Sequence, residues 1–518
     1  MDLEHRDRRI LGHIIGETTH SKVYFTAIRP PRVGEYILIE YPESDYGNMV
    51  LGIVEKSMIG NPALEVSAIT PYYVEKASRM GLERHEYMIG HARLLGWLKP
   101  LIERKQLITP NYPPKPGAKV YEADPETLRG IFARKIEDGW IRIGKLVNHT
   151  EVPVYVNVSA IVSRHLAILA VTGAGKSNTV GVLVDRIVNE LRGTVLIIDM
   201  HNEYDKIAGD DKTNNIEPKI HPAKLAVYEY YNLLRLDPQA TKQRLYLRKA
   251  YRELYKSGIA TKEPDKFLDY LQRMLEKYNK EYSSDSKSIT DLINKLDELR
   301  ERYEGKVLAI DAPTNLESVI VPGKANVIKL GSVDEEIADV VVYHYLDWLL
   351  KERKNYVMSN RERGYPVPVL VVIEEAHILI PKDRTTLTKQ VAARIAREGR
   401  KFGVGLCLVS QRPKNIDEDA LSQTNNKIIL KLVEPTDKRY VQHASETLSE
   451  ELMEMLSDLN VGEAIILGMM TPIPALVKID KASKKVTGTD IQAYKEWKKY
   501  MNNQHGRNID FNPMDLIN

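Results

Sequence analysis

The chain has 518 residues, 43% of them hydrophobic, a formal net charge of +3 and one cysteine, Cys407. That length exceeds a single domain, and the near-neutral balance makes no global demand for nucleic acid, so any DNA-contacting surface must be local. A lone cysteine excludes a disulfide framework, and the 13 histidines show no zinc-type spacing with it. The charged N-terminal stretch lacks the apolar core of a secretory signal. No run approaches the ~18 apolar residues of a membrane helix, so a cytoplasmic, soluble protein is expected.

Residues 1–150 read as β-rich. Short strand-like runs at 33–41 and 49–54 are separated by Pro42, Asp45, Gly47 and Asn48. Strands this close together predict a small barrel, interrupted by a helical excursion near 71–82 and a loop at 109–117. No catalytic constellation stands out there.

From about 151 to 480 strands alternate with helices, which predicts an α/β parallel sheet. It opens with an apolar run at 166–171, the turn Thr172-Gly173-Ala174-Gly175-Lys176-Ser177-Asn178, and an apolar-periodic helix at 180–191. This is a phosphate-binding loop. Glycines let backbone N–H groups converge on an anion at a helix N-terminus. Lys176 reaches the β- and γ-phosphates of ATP, and the Ser177 hydroxyl is a Mg²⁺ ligand. Ala170 stands where the full pattern has glycine. The next strand, 193–199, ends in Asp199, His201 and Glu203. Ligands in open α/β sheets sit at carboxyl ends of strands, so these polar residues belong near the nucleotide.

Residues 209–323 break the alternation and read as a charged helical insertion. Its helix near 242–256 interleaves basic residues with Tyr246, Tyr251 and Tyr255. A phosphate-tracking surface is one reading; tyrosines packed inward is the preferred one. The sheet resumes near 326, followed by an amphipathic helix at 335–352. Then comes an apolar run at 367–373 leading into Glu374, Glu375 and His377. Glu374 is placed to hold the Mg²⁺ shell, through water given its longer arm than the usual Asp, and Glu375 to polarise the attacking water. A helix at 389–401 ends in Arg397 and Arg400, candidates for a guanidinium that stabilises transferring phosphate from a neighbouring subunit. Cys407 lies in the strand at 403–410 as a core residue. That strand ends in Gln411, placed to sense the γ-phosphate. Strands at 425–432 and 462–468 follow. The tail at 481–518 is polar, read as an extension that packs on a neighbouring subunit.

Four pieces in this order resemble the HerA family of archaeal DNA translocases, within the HerA–FtsK superfamily. They are Thr172-Gly-Ala-Gly-Lys-Ser177, Asp199-x-His201-x-Glu203-Tyr204, Ile373-Glu-Glu-Ala-His377, and Gly399-Arg-Lys-Phe-Gly403 leading into Ser410-Gln-Arg-Pro413. The resemblance implies a RecA-like P-loop ATPase core with an N-terminal barrel shared with rotary ATP synthases. It implies a homohexameric ring around double-stranded DNA, driven by ATP and Mg²⁺. It further implies double-strand-break end resection in homologous recombination, at the nucleoid. The expected partners are a NurA-type nuclease, docked on a ring face or the barrel, and the double-strand-break repair nuclease complex. By match, Glu375 is the catalytic carboxylate, Gln411 the sensor and Arg400 the trans-acting arginine, with Arg164 a second candidate. Lys382, Arg384 and Lys414 are candidates to face the DNA channel. The alternatives are a membrane-associated pump of the FtsK or conjugation type and a protein-remodelling ring ATPase.

Overall fold

A computed structural model describes residues 8–64, 74–75, 86–445, 447–484, 494 and 497. The predicted helix near 71–82 and nearly all of the tail from 485 lie outside them. Six strands close into a barrel in the order β1-β2-β5-β4-β3-β6. They are β1 (Ile10–Ile15), β2 (Lys22–Ala27), β3 (Tyr36–Glu40), β4 (Met49–Gly60), β5 (Tyr87–Trp97) and β6 (Lys119–Glu122). Alternation fills its interior: Leu11, Val23, Phe25, Ile37, Ile39 and Val54 turn inward and are buried.

Next come β7 (Trp140–Leu146) and β8 (Pro153–Asn157). This hairpin straddles residue 150, and both strands pair into the large sheet, not the barrel. The remaining strands are β9 (Leu166–Leu169), β10 (Thr194–Asp199), β11 (Thr213–Ile216), β12 (Ala325–Lys329), β13 (Val369–Ile373), β14 (Val404–Ser410), β15 (Asn426–Ile429), β16 (Glu463–Leu467) and β17 (Ala475–Ile479). The sheet order is β11-β12-β10-β13-β14-β9-β15-β16-β17-β7-β8. Pairing is parallel from β11 to β15 and antiparallel from β15 to β8. The central strands β9, β10, β13 and β14 are buried at every residue and nearly all apolar because both faces are covered.

Period-two alternation assigns the side chains to those faces. Leu196, Ile198, Val371, Ile373 and Leu408 join one core. Val195, Ile197, Val372, Cys407 and Val409 join the other. The second is covered by α1 (Lys176–Asn189), through Val180, Leu183 and Ile187, and by the outer wall of the barrel. The first is covered by the insertion helices α2 (Thr241–Lys256), α3 (Phe267–Glu281) and α4 (Ser286–Tyr303), and by α5 (Glu335–Met358) and α6 (Leu387–Phe402). Two of the α2 tyrosines, Tyr246 and Tyr251, turn inward as preferred, while Tyr255 keeps an exposed side. Tyr246 is buried, and the Tyr251 and Tyr255 rings meet Phe267 edge-on at 5.9 and 6.0 Å.

The barrel is bolted to the sheet by polar contacts. The Tyr36 hydroxyl donates to Pro474 O at 2.6 Å. Glu55, His91 and Glu451 converge at this junction in a manner that fits a cation. Arg93 Nε, 3.1 Å from Glu55, and Lys22 Nζ, 2.6 Å from Glu451, already supply its positive charge.

Candidate active site

Strand register aligns the carboxyl ends. Ile198 pairs with Ile373, Ile373 with Leu408, and Ser410 with Leu169. The residues that follow these strands therefore share one edge of the sheet. After β9 the chain turns through Gly173 (φ 78°) and Gly175 (φ 107°), left-handed conformations that require glycine. Gly175 also faces Gly462 at 3.4 Å from where a Cβ would stand, and Gly462 N–H donates to Ala174 O at 2.9 Å. Ala170 is buried within the core on the α1 face, and its backbone φ is not left-handed. An alanine methyl fits there, so the pattern's glycine is not needed.

Helix α1 starts at Lys176, earlier than the apolar periodicity suggested, because the loop itself supplies the first turn. Lys176 Nζ lies 2.6 Å from Glu375 Oε1 and 3.3 Å from Glu374 Oε2. Burial pulls the ammonium down, but the two carboxylates outweigh it and hold its pKa above the ordinary lysine value. Glu374 is fully buried, which pushes its carboxyl up against the pull of Lys176. The buried Tyr204 hydroxyl donates to Glu374 Oε1, and burial beside that carboxylate raises the phenol well above its usual value. Tyr204 sits in one of the family-like motifs, but its role was not legible from spacing. Ser177 Oγ lies 3.5 Å from Glu203 Oε2 on the same side.

Glu375 holds a left-handed backbone (φ 45°), strain that turns its side chain back over the loop. Its Oε2 is buried and, among the described residues, without a hydrogen-bond partner. His377 Nδ1 lies 3.3 Å from that oxygen and 3.2 Å from Ser410 Oγ. Burial lowers the His377 pKa below the ordinary histidine value. Gln411 joins the same cluster: its Oε1 accepts from Thr172 Oγ1 at 2.5 Å.

Two predicted nucleotide-side residues are otherwise engaged. Asn178 is tied to the segment after β17, donating to Asp480 O at 2.8 Å and accepting from Ala482 N–H at 2.9 Å. Asp199 accepts backbone N–H bonds from His201 and Tyr204 at 3.2 and 3.0 Å, so it shapes its own loop. His201 remains exposed and lines an open cavity of about 850 Å³ together with Glu375, His377 and Gln411. Lys382, Arg384 and Lys414, predicted for a channel, line that same cavity. Each has an acidic neighbour: Lys382 near Glu418 at 3.9 Å, Arg384 near Glu335 at 3.3 Å, and Lys414 bonded to Glu434.

The arginines lie elsewhere. Arg164 precedes β9 and Arg400 closes α6 just before β14, so both stand at the amino edge of the sheet. The seven residues of β14, at about 3.3 Å each, put the strand's length between them and the loop. Arg397 and Arg400 are exposed, and among the described residues neither has a hydrogen-bond or ion-pair partner.

Comparison with known proteins places the chain in a family. The family described as "Helicase HerA, central domain" matches residues 141–349, and that described as "Helicase HerA-like C-terminal" matches residues 320–480. The DNA double-strand break repair helicase HerA of Sulfurisphaera tokodaii is 42% identical over 500 residues, covering 95% of this chain and 97% of that one. The protein of the same description from Saccharolobus solfataricus is 40% identical over 502 residues, covering 95% and 96%. Among solved structures, VirB4 of Thermoanaerobacter pseudethanolicus shares the fold with a TM-score of 0.50 at 19% identity, covering 66% of this chain and 96% of that one. Among the described residues, no helix is long and apolar enough to cross a membrane. The chain belongs to the HerA helicase family of P-loop ATPases.

Proposed function

We propose that this protein is an ATP-driven DNA translocase and helicase of double-strand-break repair, working as a homohexameric ring on duplex DNA. One observation carries the reading. The carboxyl edge holds a loop, a lysine, two carboxylates and a glutamine in contact, whereas Arg400 stands exposed at the other edge with no hydrogen-bond or ion-pair partner among the described residues. Such a site is completed by the arginine of an adjacent subunit.

Lys176 rests on Glu374 and Glu375. Triphosphate offers it stronger negative charge and draws it from the carboxylates. Glu375 is then free to take the proton of an attacking water. Gln411 exchanges its Thr172 bond for the γ-phosphate and reports its presence. The Ser177 hydroxyl, beside Glu203, and the Glu374 carboxylate, beside Lys176, fit Mg²⁺, being hard oxygen donors. The metal, when bound, neutralises charge on the phosphates. Arg400, with Arg397 and Arg164 as further candidates, reaches the neighbour's nucleotide. Lys382, Arg384 and Lys414 are the proposed DNA contacts, carried on the wall of the cavity that Glu375 shares. A partner nuclease, docked on the ring face or the barrel, trims the ends the motor delivers; the start of the tail bonds its own chain through Ala482 and Ser483, and the part beyond 484 packs on the next subunit.

The test is steady-state ATP hydrolysis with and without duplex DNA, on the wild type and on Glu375→Gln. Duplex DNA is expected to raise the wild-type rate, and Glu375→Gln to lose hydrolysis by about 10²-fold or more while still binding ATP. No stimulation by DNA would overturn the translocase reading, and a fully active Glu375→Gln would overturn the base assignment.

A further inference from the structure

His377 sits between two groups that cannot share it. Its Nδ1 is 3.2 Å from Ser410 Oγ and 3.3 Å from Glu375 Oε2. A neutral imidazole nitrogen either carries a hydrogen and donates, or lacks one and accepts. Ser410 Oγ already accepts the Arg412 N–H at 3.0 Å, which leaves its own hydrogen to give. If Nδ1 takes that hydrogen, it has none of its own to give Glu375 Oε2. The buried, unpartnered state of that oxygen fits this arrangement. If Nδ1 carries the hydrogen instead, it serves Glu375 and Ser410 must let go.

We propose that His377 is a positioning residue that switches its Nδ1 hydrogen bond between Ser410 and Glu375, linking the proposed base to the Ser410–Gln411 turn. This rests on Glu375 being the base. While Lys176 neutralises Glu375, the carboxylate needs no further donor, and His377 accepts from Ser410. Once phosphates draw Lys176 away, Glu375 loses its cation. The ring then moves its proton from Nε2 to Nδ1 through water in the open cavity it lines, and donates to Oε2. Oε1 is left to receive the water's proton. The same exchange frees the Ser410 hydroxyl, whose bond to Arg412 N–H shapes the turn that carries Gln411. The base is therefore aligned only when the sensor turn has been released.

The test measures ATP hydrolysis by full-length His377→Ala, Ser410→Ala and the double variant, with Glu375→Gln in parallel. His377→Ala is expected to lower kcat about tenfold with KM for ATP within twofold of wild type. Ser410→Ala removes the competing partner and should raise kcat about twofold, and it should have no effect in the His377→Ala background, because Ser410 acts through that ring. His377→Asn, whose amide reaches the Nδ1 position, should recover part of kcat. If Glu375→Gln is inactive while His377→Ala has wild-type kcat, the switch is wrong and the base assignment stands. If the two single effects multiply in the double variant, the residues act separately and the switch is wrong. If Glu375→Gln hydrolyses normally, the base assignment fails and takes the switch with it.

Discussion

The two edges of the central sheet carry opposite electrostatic problems. At the carboxyl edge a buried lysine is crowded by two carboxylates and held above its ordinary pKa by them. At the amino edge Arg397 and Arg400 are exposed, with no hydrogen bond or ion pair among the described residues, although Glu398 lies near enough to feel Arg397. One edge waits for an anion to relieve its lysine; the other presents cations with nothing to bind. Strand register keeps the two apart within one chain; in the proposed ring they meet between chains. The sheet between them, covered on both faces, would then be the spacer that links one interface to the next.

The strongest way to break this comparison is to remove an arginine. Arg400→Ala is expected to lower ATP hydrolysis by about 10³-fold while leaving nucleotide affinity nearly intact. Mixing Arg400→Ala with Glu375→Gln subunits should restore part of the activity, since some interfaces then pair a wild-type loop with a wild-type arginine. Activity that stays at the level of the single variants after mixing would place both groups in one subunit and dissolve the contrast between the edges.

A smaller effect sharpens the carboxyl edge. Tyr204 donates to Glu374 from a fully buried position. Tyr204→Phe keeps the ring and deletes the hydroxyl, leaving a buried carboxylate short of one donor. Hydrolysis is expected to fall about tenfold at limiting Mg²⁺ and less at saturating Mg²⁺. Equal losses at both concentrations would show that Tyr204 does not orient Glu374 toward the metal.

How much of this was legible in the sequence follows from what spacing encodes. The loop, Glu374, Glu375 and Gln411 each follow an apolar strand, and strands of a parallel sheet end together, so their meeting was foreseeable. Asn178 and Asp199 were placed beside the nucleotide for the same reason, yet their side chains satisfy the chain itself: the segment at 480–482 and the backbone at 201–204. Periodicity locates a residue at an edge but does not say whether a nearer backbone group claims it. The boundary expected near 150 cuts between β7 and β8; pairing with β17 and with each other places both in the sheet. Tyr204 and His377 lay in recognisable motifs, and their partners came from distant strands that no local pattern names.

The smallest expected effect lies at the amino edge, in the anchor of the arginine helix. His165, just before β9, is buried with φ 59°. Its Nδ1 accepts Leu406 N–H at 3.0 Å, and its Nε2 stands 3.1 Å from Ala396 O in α6. The ring thus ties α6, which carries Arg397 and Arg400, to the start of β9 and β14. Burial lowers its pKa below the ordinary 6.5, so the folded ring stays neutral where the unfolded one takes a proton. The sign follows: this contribution to stability is complete above about pH 6.5 and declines as pH falls toward the folded pKa. One proton gives a slope of at most about 1.4 kcal/mol per pH unit. Thermal unfolding from pH 8 to pH 5 should therefore show a steeper acid-side loss in the wild type than in His165→Gln, whose amide does not titrate. Arg400-dependent hydrolysis should weaken over the same interval, since protonation removes the acceptor for Leu406. Parallel unfolding curves for the two proteins would remove His165 as the anchor and leave the placement of the arginine helix to its apolar face, through Leu387, Val391 and Ile395.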